Sequence, residues 1–281
     1  MQVTIHDDFD PKKIADSGQC FRITCLKNEI WRFLCGSRCL YLRRCGPSVY
    51  EADCPADEWN GFWHDYFDLG RDYRRVRNAV RQEDTYLRAA ADTGTGIRIL
   101  RQEPWEMIVT FLISQRKSIP AIRRCVDLLA SRFGQPIETG YEIVYGFPSA
   151  QALARASHED LLQCGLGYRT PYIEDAVKKV CSGVLDPQAL YGYDDTSLME
   201  TLKSVHGIGE KVAGCISLFA YGRTGLAPVD TWIRRIINEK YGGADPFPQY
   251  GNMARIMQQY LFYYAQTHKG DLLTPSVQSC L

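Results

Sequence analysis

Short runs of alternating apolar and polar residues fill the first sixty positions of the chain. Cys20–Thr24, Trp31–Cys35 and Leu40–Arg44 each read as a strand, separated by the turn residues Lys27-Asn28-Glu29, Cys35-Gly36-Ser37 and Cys45-Gly46-Pro47. An antiparallel meander is expected. Past Asp57 the period lengthens: Trp59, Phe62, Trp63, Tyr66 and Phe67 recur three or four residues apart, the spacing of one helical face. The chain then reads as helical almost to its end. Pro104 suits a first helical turn, where its missing N–H has no partner to lose, and Trp105, Ile108, Val109, Leu112 and Ile113 form the apolar stripe behind it. Helices are expected over Ile119–Phe133, closed by Gly134 as a C′ glycine, and over Ser149–Ala156, Ser157–Cys164 and Pro171–Cys181. Ser157 and Asp160 have the spacing of a capping pair. Asp194–Val205, Glu210–Tyr221, Thr231–Tyr241 and Asn252–His268 complete the set. The expected fold is α+β: a small N-terminal antiparallel sheet domain with a helix over 1–85, then a mostly helical domain over 86–281 with a helical hairpin at about 196–221.

Composition narrows the function classes. A length of 281 residues fits one large domain or two modest ones. Hydrophobic residues make up 45% and charged residues 23%, ordinary globular usage that excludes a disordered chain. No apolar run nears the roughly 18–20 residues that cross a bilayer, so no membrane partner is expected. Met1–Asp10 is acidic and lacks the basic and apolar stretches of a secretory signal. Lys+Arg and Asp+Glu both total 33, a net charge of +0. That excludes a histone-like basic wrapper but leaves room for a local basic face on phosphates. Of 11 cysteines, six fall between Cys20 and Cys54. The odd count argues against a disulfide scaffold. Cys35-x-x-x-Cys39 is a fair zinc pair, but the spacings repeat no knuckle pattern, and ordinary thiols are expected. With only Cys215 and Cys280 in the C-terminal third, that part cannot hold an iron–sulfur cluster. No metal or other cofactor is expected.

The candidate chemistry lies between Leu202 and Tyr241. In Val205-His206-Gly207-Ile208-Gly209-Glu210-Lys211-Val212-Ala213 two glycines flank one aliphatic residue between helical patterns. Glycines there permit positive φ and close backbone approach. The unsatisfied N–H groups that start the next helix, beside its positive dipole end, can hold a phosphate without reading a base. An ordinary αα-hairpin would need the same turn glycines. Lys211 falls in the first turn of the second hairpin helix, as a solvated charge, a phosphate contact or a reactive amine. Pro228-Val229-Asp230 opens the next helix, with Asp230 as its N-cap, a position that favours the ionised carboxylate. A lysine and a carboxylate at adjoining helix starts could face one cleft.

Taken together, His206-Gly207-Ile208-Gly209-Glu210-Lys211 and Pro228-Val229-Asp230 resemble the hairpin–Gly/Pro–Asp signature of the helix–hairpin–helix DNA glycosylases. Ser17-Gly18-Gln19-Cys20-Phe21-Arg22, Ile99–Pro104, Phe111–Ser114, Gly146–Ser149 and Gly165-Leu166-Gly167-Tyr168-Arg169 add a resemblance to the 8-oxoguanine branch that covers nearly the whole chain in order. The resemblance implies excision of an oxidised purine flipped from duplex DNA, with Lys211 attacking the sugar C1′, a Schiff base, and β-elimination. It implies an amine made neutral by desolvation and nearby cations, and an anionic Asp230 that stabilises oxocarbenium-like charge. Gly18 matches the glycine whose carbonyl senses hydrogen on N7. Cys215, one turn after Lys211, matches the thiol that packs on the base. Gln258 matches the glutamine that reads the base edge and Phe262 the aromatic that stacks on it. Tyr168 and Arg169 match the pair that wedges the duplex and contacts the orphaned cytosine. His206, Gly207, Gly209, Val212, Thr231 and Trp232 fall at backbone-contact positions.

Three departures stand out. Gln115-Arg116-Lys117-Ser118 replaces the family's asparagine run, which fills the gap left by the flipped base; Arg116 could fill that gap and offer guanidinium donors. Trp232 stands where animal relatives have a histidine near a phosphate, and His206 replaces the usual hairpin proline. A glycosylase for another damaged purine and an idle DNA-binding module are the alternatives to the 8-oxoguanine reading. The cluster Arg71, Arg74, Arg75, Arg77 and Arg81 is read as a solvated helix face rather than a DNA contact. A monomer acting on double-stranded DNA in a bacterial cytoplasm is expected.

Overall fold

The computed structural model describes residues 1–225, 229 and 231–268, the last range excluding the side chain of Thr231. The N-terminal part is a five-stranded antiparallel sheet of β1 (Gln2–Thr4), β2 (Ile23–Cys25), β3 (Ile30–Cys35), β4 (Arg38–Arg44) and β5 (Val49–Ala52), in the order β1-β5-β4-β3-β2. Helix α1 (Pro11–Asp16) lies between β1 and β2 in sequence, started by Asp10, whose carboxylate accepts from the Lys12 and Lys13 N–H groups. The expected meander is therefore present, extended by the short strands β5 and β1, and with β2 beginning three residues later than its pattern suggested.

One sheet face packs Phe33, Leu40, Leu42, Tyr50 and Ala52 against Ile14, Trp63 and Phe67, a core of its own. Trp63 and Phe67 come from the aromatic run at 59–67. That run folds as α2 (Ala56–Glu58), a π-helical turn at Trp59–Trp63, and α3 (His64–Tyr66). Leu40, Tyr41 and Leu42 are all buried, so β4 is covered on both sides. The second cover is a hairpin from the helical part, β6 (Pro136–Glu138) and β7 (Ile143–Tyr145), on which Tyr141 stacks against Tyr41 with ring centroids 4.2 Å apart.

The helical part comprises α4 (Tyr73–Asn78), α5 (Thr85–Thr93), α6 (Pro104–Ser114), α7 (Ile119–Phe133), α8 (Ala150–Leu153), α9 (His158–Gln163), α10 (Thr170–Cys181), α11 (Asp195–Lys203), α12 (Glu210–Phe219), α13 (Thr231–Tyr241) and α14 (Ala254–Thr267). They enclose one continuous core running from Leu87 through Ile108, Leu112 and Ile216 to Leu261. Ser157 and Asp160 form the expected reciprocal capping box at α9. Gly134 does end α7, but at φ −81° rather than in a left-handed conformation. Its glycine requirement is spatial: a Cβ there would overlap the Gly146 carbonyl oxygen.

The arginine cluster is not simply a solvated face. Arg77 pairs with Asp8 and Arg71 with Asp68 at 2.7 Å, while the Asp7 carboxylate accepts the Tyr73 and Arg74 N–H groups. Arg98 is fully buried and donates to four carbonyl oxygens, those of Asp8, Phe67, Asp68 and Arg71. The charges near 70–80 thus bind the N-terminal segment to the helical part, which sequence proximity alone could not reveal.

Glu106 of α6 makes a second joint. Its carboxylate accepts the Gly36 N–H of the β3–β4 turn at 2.7 Å and lies 3.6 Å from the buried Arg22 guanidinium. Burial pushes its carboxyl up from 4.5 to about 7, against the pull of Arg22. With the folded value above the unfolded one, this group's stabilisation is complete below pH 4.5 and is lost as pH rises through about 7. The shift corresponds to about 3 kcal/mol at most. Urea denaturation at pH 5 and pH 8 should show a flatter pH dependence for Glu106→Gln than for wild type. Parallel profiles would remove the assignment.

Candidate functional site

The hairpin is built as its glycines require. Between α11 and α12 the chain turns at Gly207, φ +88°, and a Cβ there would lie 2.5 Å from the Tyr172 ring of α10. The His206 ring meets Tyr172 edge-on at 4.7 Å, and its backbone N–H donates to Asp175 Oδ2 at 2.8 Å. Gly209 is the N-cap of α12, with extended backbone and open space around its Cα. As a glycine it offers no capping side chain, whereas α1, α4, α5, α6, α8, α9 and α11 are each capped by Asp, Glu or Ser. The N–H groups at the start of α12 remain available at the positive end of its dipole. Val212 is buried, so what it can present is its backbone N–H alone.

Lys211 is exposed in this first turn. Cys215, one turn on, is half-buried on the same face. Beside it, the buried Arg255 of α14 donates through Nη1 to the Gly214 carbonyl, and its backbone N–H reaches Thr224 O at 3.2 Å. Burial lowers this guanidinium to about 10. Arg255 therefore fastens α14 against α12 at the residue next to Cys215. Gln258 and Phe262 follow on α14 one and two turns later; Gln258 is mostly buried and Phe262 half-buried.

Gly18 is brought to this helix from the other end of the chain. It has φ +77°, and a Cβ on it would sit 3.1 Å from Phe262 Cε1 and 3.8 Å from Ile119 Cδ1. Its neighbours are fixed on both sides. Gln259 Nε2 donates to Ser17 O at 2.6 Å. The fully buried Gln19 donates to Arg98 O at 2.8 Å and accepts from Leu100 N at 2.7 Å. Gln19, Arg255, Gln259 and Tyr172 are the positioning residues that sequence reasoning missed. The one available signal was an arginine within the apolar stripe of the last helix.

The loop 115–118 adjoins the hairpin directly. Gln115 Nε2 donates to Gly207 O at 3.1 Å, so this side chain is turned inward. Arg169 Nε donates to Gln115 O at 3.0 Å, its guanidinium lying 4.3 Å over the Tyr168 ring. Arg169 is buried, and Tyr168 is exposed. Lys117 Nζ donates to Gly165 O at 2.8 Å. Of the loop's two cations Arg116 is exposed and Lys117 half-buried, Arg116 at a left-handed φ of +50°. A non-glycine residue in that region carries strain of roughly 1–2 kcal/mol. Trp232 is half-buried and packs against the main core. Asp230 lies outside the described residues, as does the side chain of Thr231.

Two family models divide the chain between them. Residues 2–108 match the 8-oxoguanine DNA glycosylase N-terminal domain, and residues 109–261 match the HhH-GPD superfamily of base excision DNA repair proteins. The chain belongs to the 8-oxoguanine DNA glycosylase branch of the HhH-GPD superfamily. A probable N-glycosylase/DNA lyase of Methanothermobacter thermautotrophicus is 30% identical over 213 residues, 66% of this chain and 68% of that one. The matches to the Saccharomyces cerevisiae and Arabidopsis thaliana N-glycosylase/DNA lyases span only 42% and 40% of those longer proteins. Among solved structures, MBOgg1 with a low-affinity DNA ligand superposes with a TM-score of 0.90 at 34% identity, covering 95% of this chain and 96% of that one. The Clostridium acetobutylicum 8-oxoguanine glycosylase/lyase, bound to duplex DNA with cytosine opposite 8-oxoguanine, gives 0.86 at 30% identity over 96% and 98%.

Within this branch the sequence-predicted residues sort into three groups. Gly18 packs close to Phe262, where a Cβ would sit 3.1 Å from the ring, and Arg255 joins α14, which carries Gln258 and Phe262, to α12, which carries Lys211 and Cys215. Gln115, Tyr168, Arg169 and Gly207 form one bonded patch, with Lys117 held to Gly165, His206 on Tyr172, and Arg116 exposed. Trp232 packs against the main core.

Proposed function

We propose that this DNA N-glycosylase/AP lyase removes 8-oxoguanine from duplex DNA with Lys211 as its nucleophile, acting as a monomer. The reading rests on one arrangement: an exposed lysine in the first turn of a helix whose start is bare, with Cys215 and the Gly18–Phe262 contact close behind. The bare start holds a backbone phosphate. The flipped nucleotide then covers the lysine and removes it from water, which favours the neutral amine. Lys211 Nζ forms a bond to C1′ as the base departs with the bonding electrons. Opening of the sugar gives the Schiff base, and loss of the C2′ proton expels the 3′ phosphate. Asp230 supports the positive charge that develops on the sugar. The Gly18 carbonyl accepts from N7–H of the oxidised base; unmodified guanine has a bare acceptor there, so the hydrogen bond becomes a repulsion.

Borohydride trapping on duplexes with 8-oxoguanine opposite each of the four bases tests this reading. A covalent adduct on all or some of them is expected, and its absence on every duplex would refute the lyase mechanism. Arg116, a donor-only side chain in the asparagine position, suits acceptor edges such as guanine O6/N7 as well as cytosine O2. Asp230→Asn should bind lesion duplex normally and excise about 10²-fold more slowly, by analogy with lost electrostatic stabilisation elsewhere. Unchanged single-turnover rates would contradict its role.

A further inference from the structure

A cavity of about 640 Å³ lies between α1, the β2–β3 edge of the sheet and α7, and neither Gly18, Lys211, Cys215, Gln258 nor Phe262 lines it. That volume suits a small organic ligand. Its lining joins three chemistries from distant parts of the chain. Trp31 and Tyr50 supply aromatic surface, Arg44 and Arg123 supply guanidinium groups, and Asp127 stands one turn after Arg123 on α7.

No ion pair within 4.0 Å joins Arg44, Arg123 and Asp127 to one another. Arg44 donates to the carbonyls of Gly46 and Pro47 at 3.1 and 3.0 Å, and Arg123 to Ala15 O at 3.2 Å. Those acceptors carry no formal charge, so both cations keep theirs. Asp127 has no ion pair within 4.0 Å among the described residues, although Arg22, Arg32 and Arg123 all line the same cavity. Arg22, only 3% exposed, has an Nε with no acceptor. Among the acidic lining residues Asp10, Asp16 and Glu29, the cavity thus holds two guanidiniums, Arg44 and Arg123, bonded only to neutral carbonyls, an exposed Asp127 carboxylate with no ion pair within 4.0 Å, and the Trp31 indole.

One ligand chemistry meets all three demands. A flat ring lies on the indole, an anionic group meets Arg44 and Arg123, and a pair of adjacent N–H donors meets the carboxylate in bidentate fashion. Guanine presents such a pair at N1–H and N2–H₂. Adenine presents one donor beside a bare N1 acceptor, which a carboxylate repels. We propose that this cavity is a second, non-catalytic site that binds a guanine nucleotide, either free or within a DNA strand.

Equilibrium dialysis of the full chain against GMP, AMP and the trinucleotide d(TGT), with tryptophan fluorescence followed in parallel, tests the proposal. GMP should bind saturably and quench fluorescence, with AMP at least about tenfold weaker. Asp127→Asn should weaken GMP by about tenfold while sparing AMP, and Arg123→Met should weaken both. Excision of 8-oxoguanine by both variants should match wild type, which also establishes that they fold. Tighter binding of d(TGT) than of GMP identifies a DNA strand as the source; the reverse order identifies free nucleotide. Saturating abasic-site duplex built of A·T pairs only, which offers this cavity no guanine, should leave GMP bound. Displacement by that duplex would place GMP in the excision site and overturn the proposal. No saturable binding at millimolar GMP, or equal affinity for GMP and AMP, would also overturn it, and neither result bears on Lys211.

Discussion

Lys211→Gln should form no borohydride-trapped adduct with 8-oxoguanine duplex, lose strand nicking, and excise the base at least about 10³-fold more slowly than wild type. Glutamine keeps much of the side chain's reach and polarity but has no nucleophilic electron pair. The exposed position of Lys211 predicts little structural damage, so thermal stability should change by less than about 0.5 kcal/mol. The same experiment separates two roles of the lysine. As a phosphate contact only, its loss would lower affinity and reduce the slope of log K against log salt by about one, with excision intact at saturating enzyme. As nucleophile, its loss acts on the chemical step at saturation. An adduct undiminished in the variant would require another amine and would sink the assignment.

How far the sequence revealed this site depends on the range of the contacts involved. The hairpin turn is local, and Gly207 and Gly209 with Lys211 two residues on were readable directly. The approach of Gly18 to Phe262 is not local. Ser17 and Gln259 meet across 242 residues, and only ordered family motifs could place Gly18 near Phe262 before the fold was seen. Strands β3 and β4 were legible because six and seven residues carry enough alternation. Strands β1, β6 and β7 have three residues each, too few for a period, and they form by completing edges or hairpins. Arg77 looked solvated because its partner Asp8 lies 69 residues away in the chain, and Asp7 reaches the backbone N–H groups of Tyr73 and Arg74 from 66 and 67 residues away. Gln115 was expected on the DNA surface with its neighbours, but the carbonyl of Gly207 draws its amide inward and leaves Arg116 outermost. Lys211 itself is exposed.

Gly207→Ala and Gly209→Ala should differ sharply, although both alter the same short motif. At Gly207 an added methyl meets Tyr172 Cγ and Cδ2 at 2.5 Å, on a backbone with φ +88°. Left-handed strain and overpacking together should cost about 2–4 kcal/mol. For a chain of this size that is a fall of roughly 5–10 °C in Tm. The displaced Tyr172 also carries the His206 ring, and Gln115 is bonded to the Gly207 carbonyl, so the phosphate site and the neighbouring loop move together. Affinity for duplex should drop more than about tenfold, for damaged and undamaged DNA alike. At Gly209 the methyl meets no atom within 4 Å and the backbone is extended. Stability should therefore hold within about 0.5 kcal/mol. The methyl still projects beside the free N–H groups of α12, so duplex affinity alone should weaken. Adding Tyr172→Ala to Gly207→Ala should recover part of the stability, because it removes the clash but leaves the strain. Equal losses of Tm in the two alanine variants, or duplex binding untouched by both, would show that phosphate contact does not run through this turn.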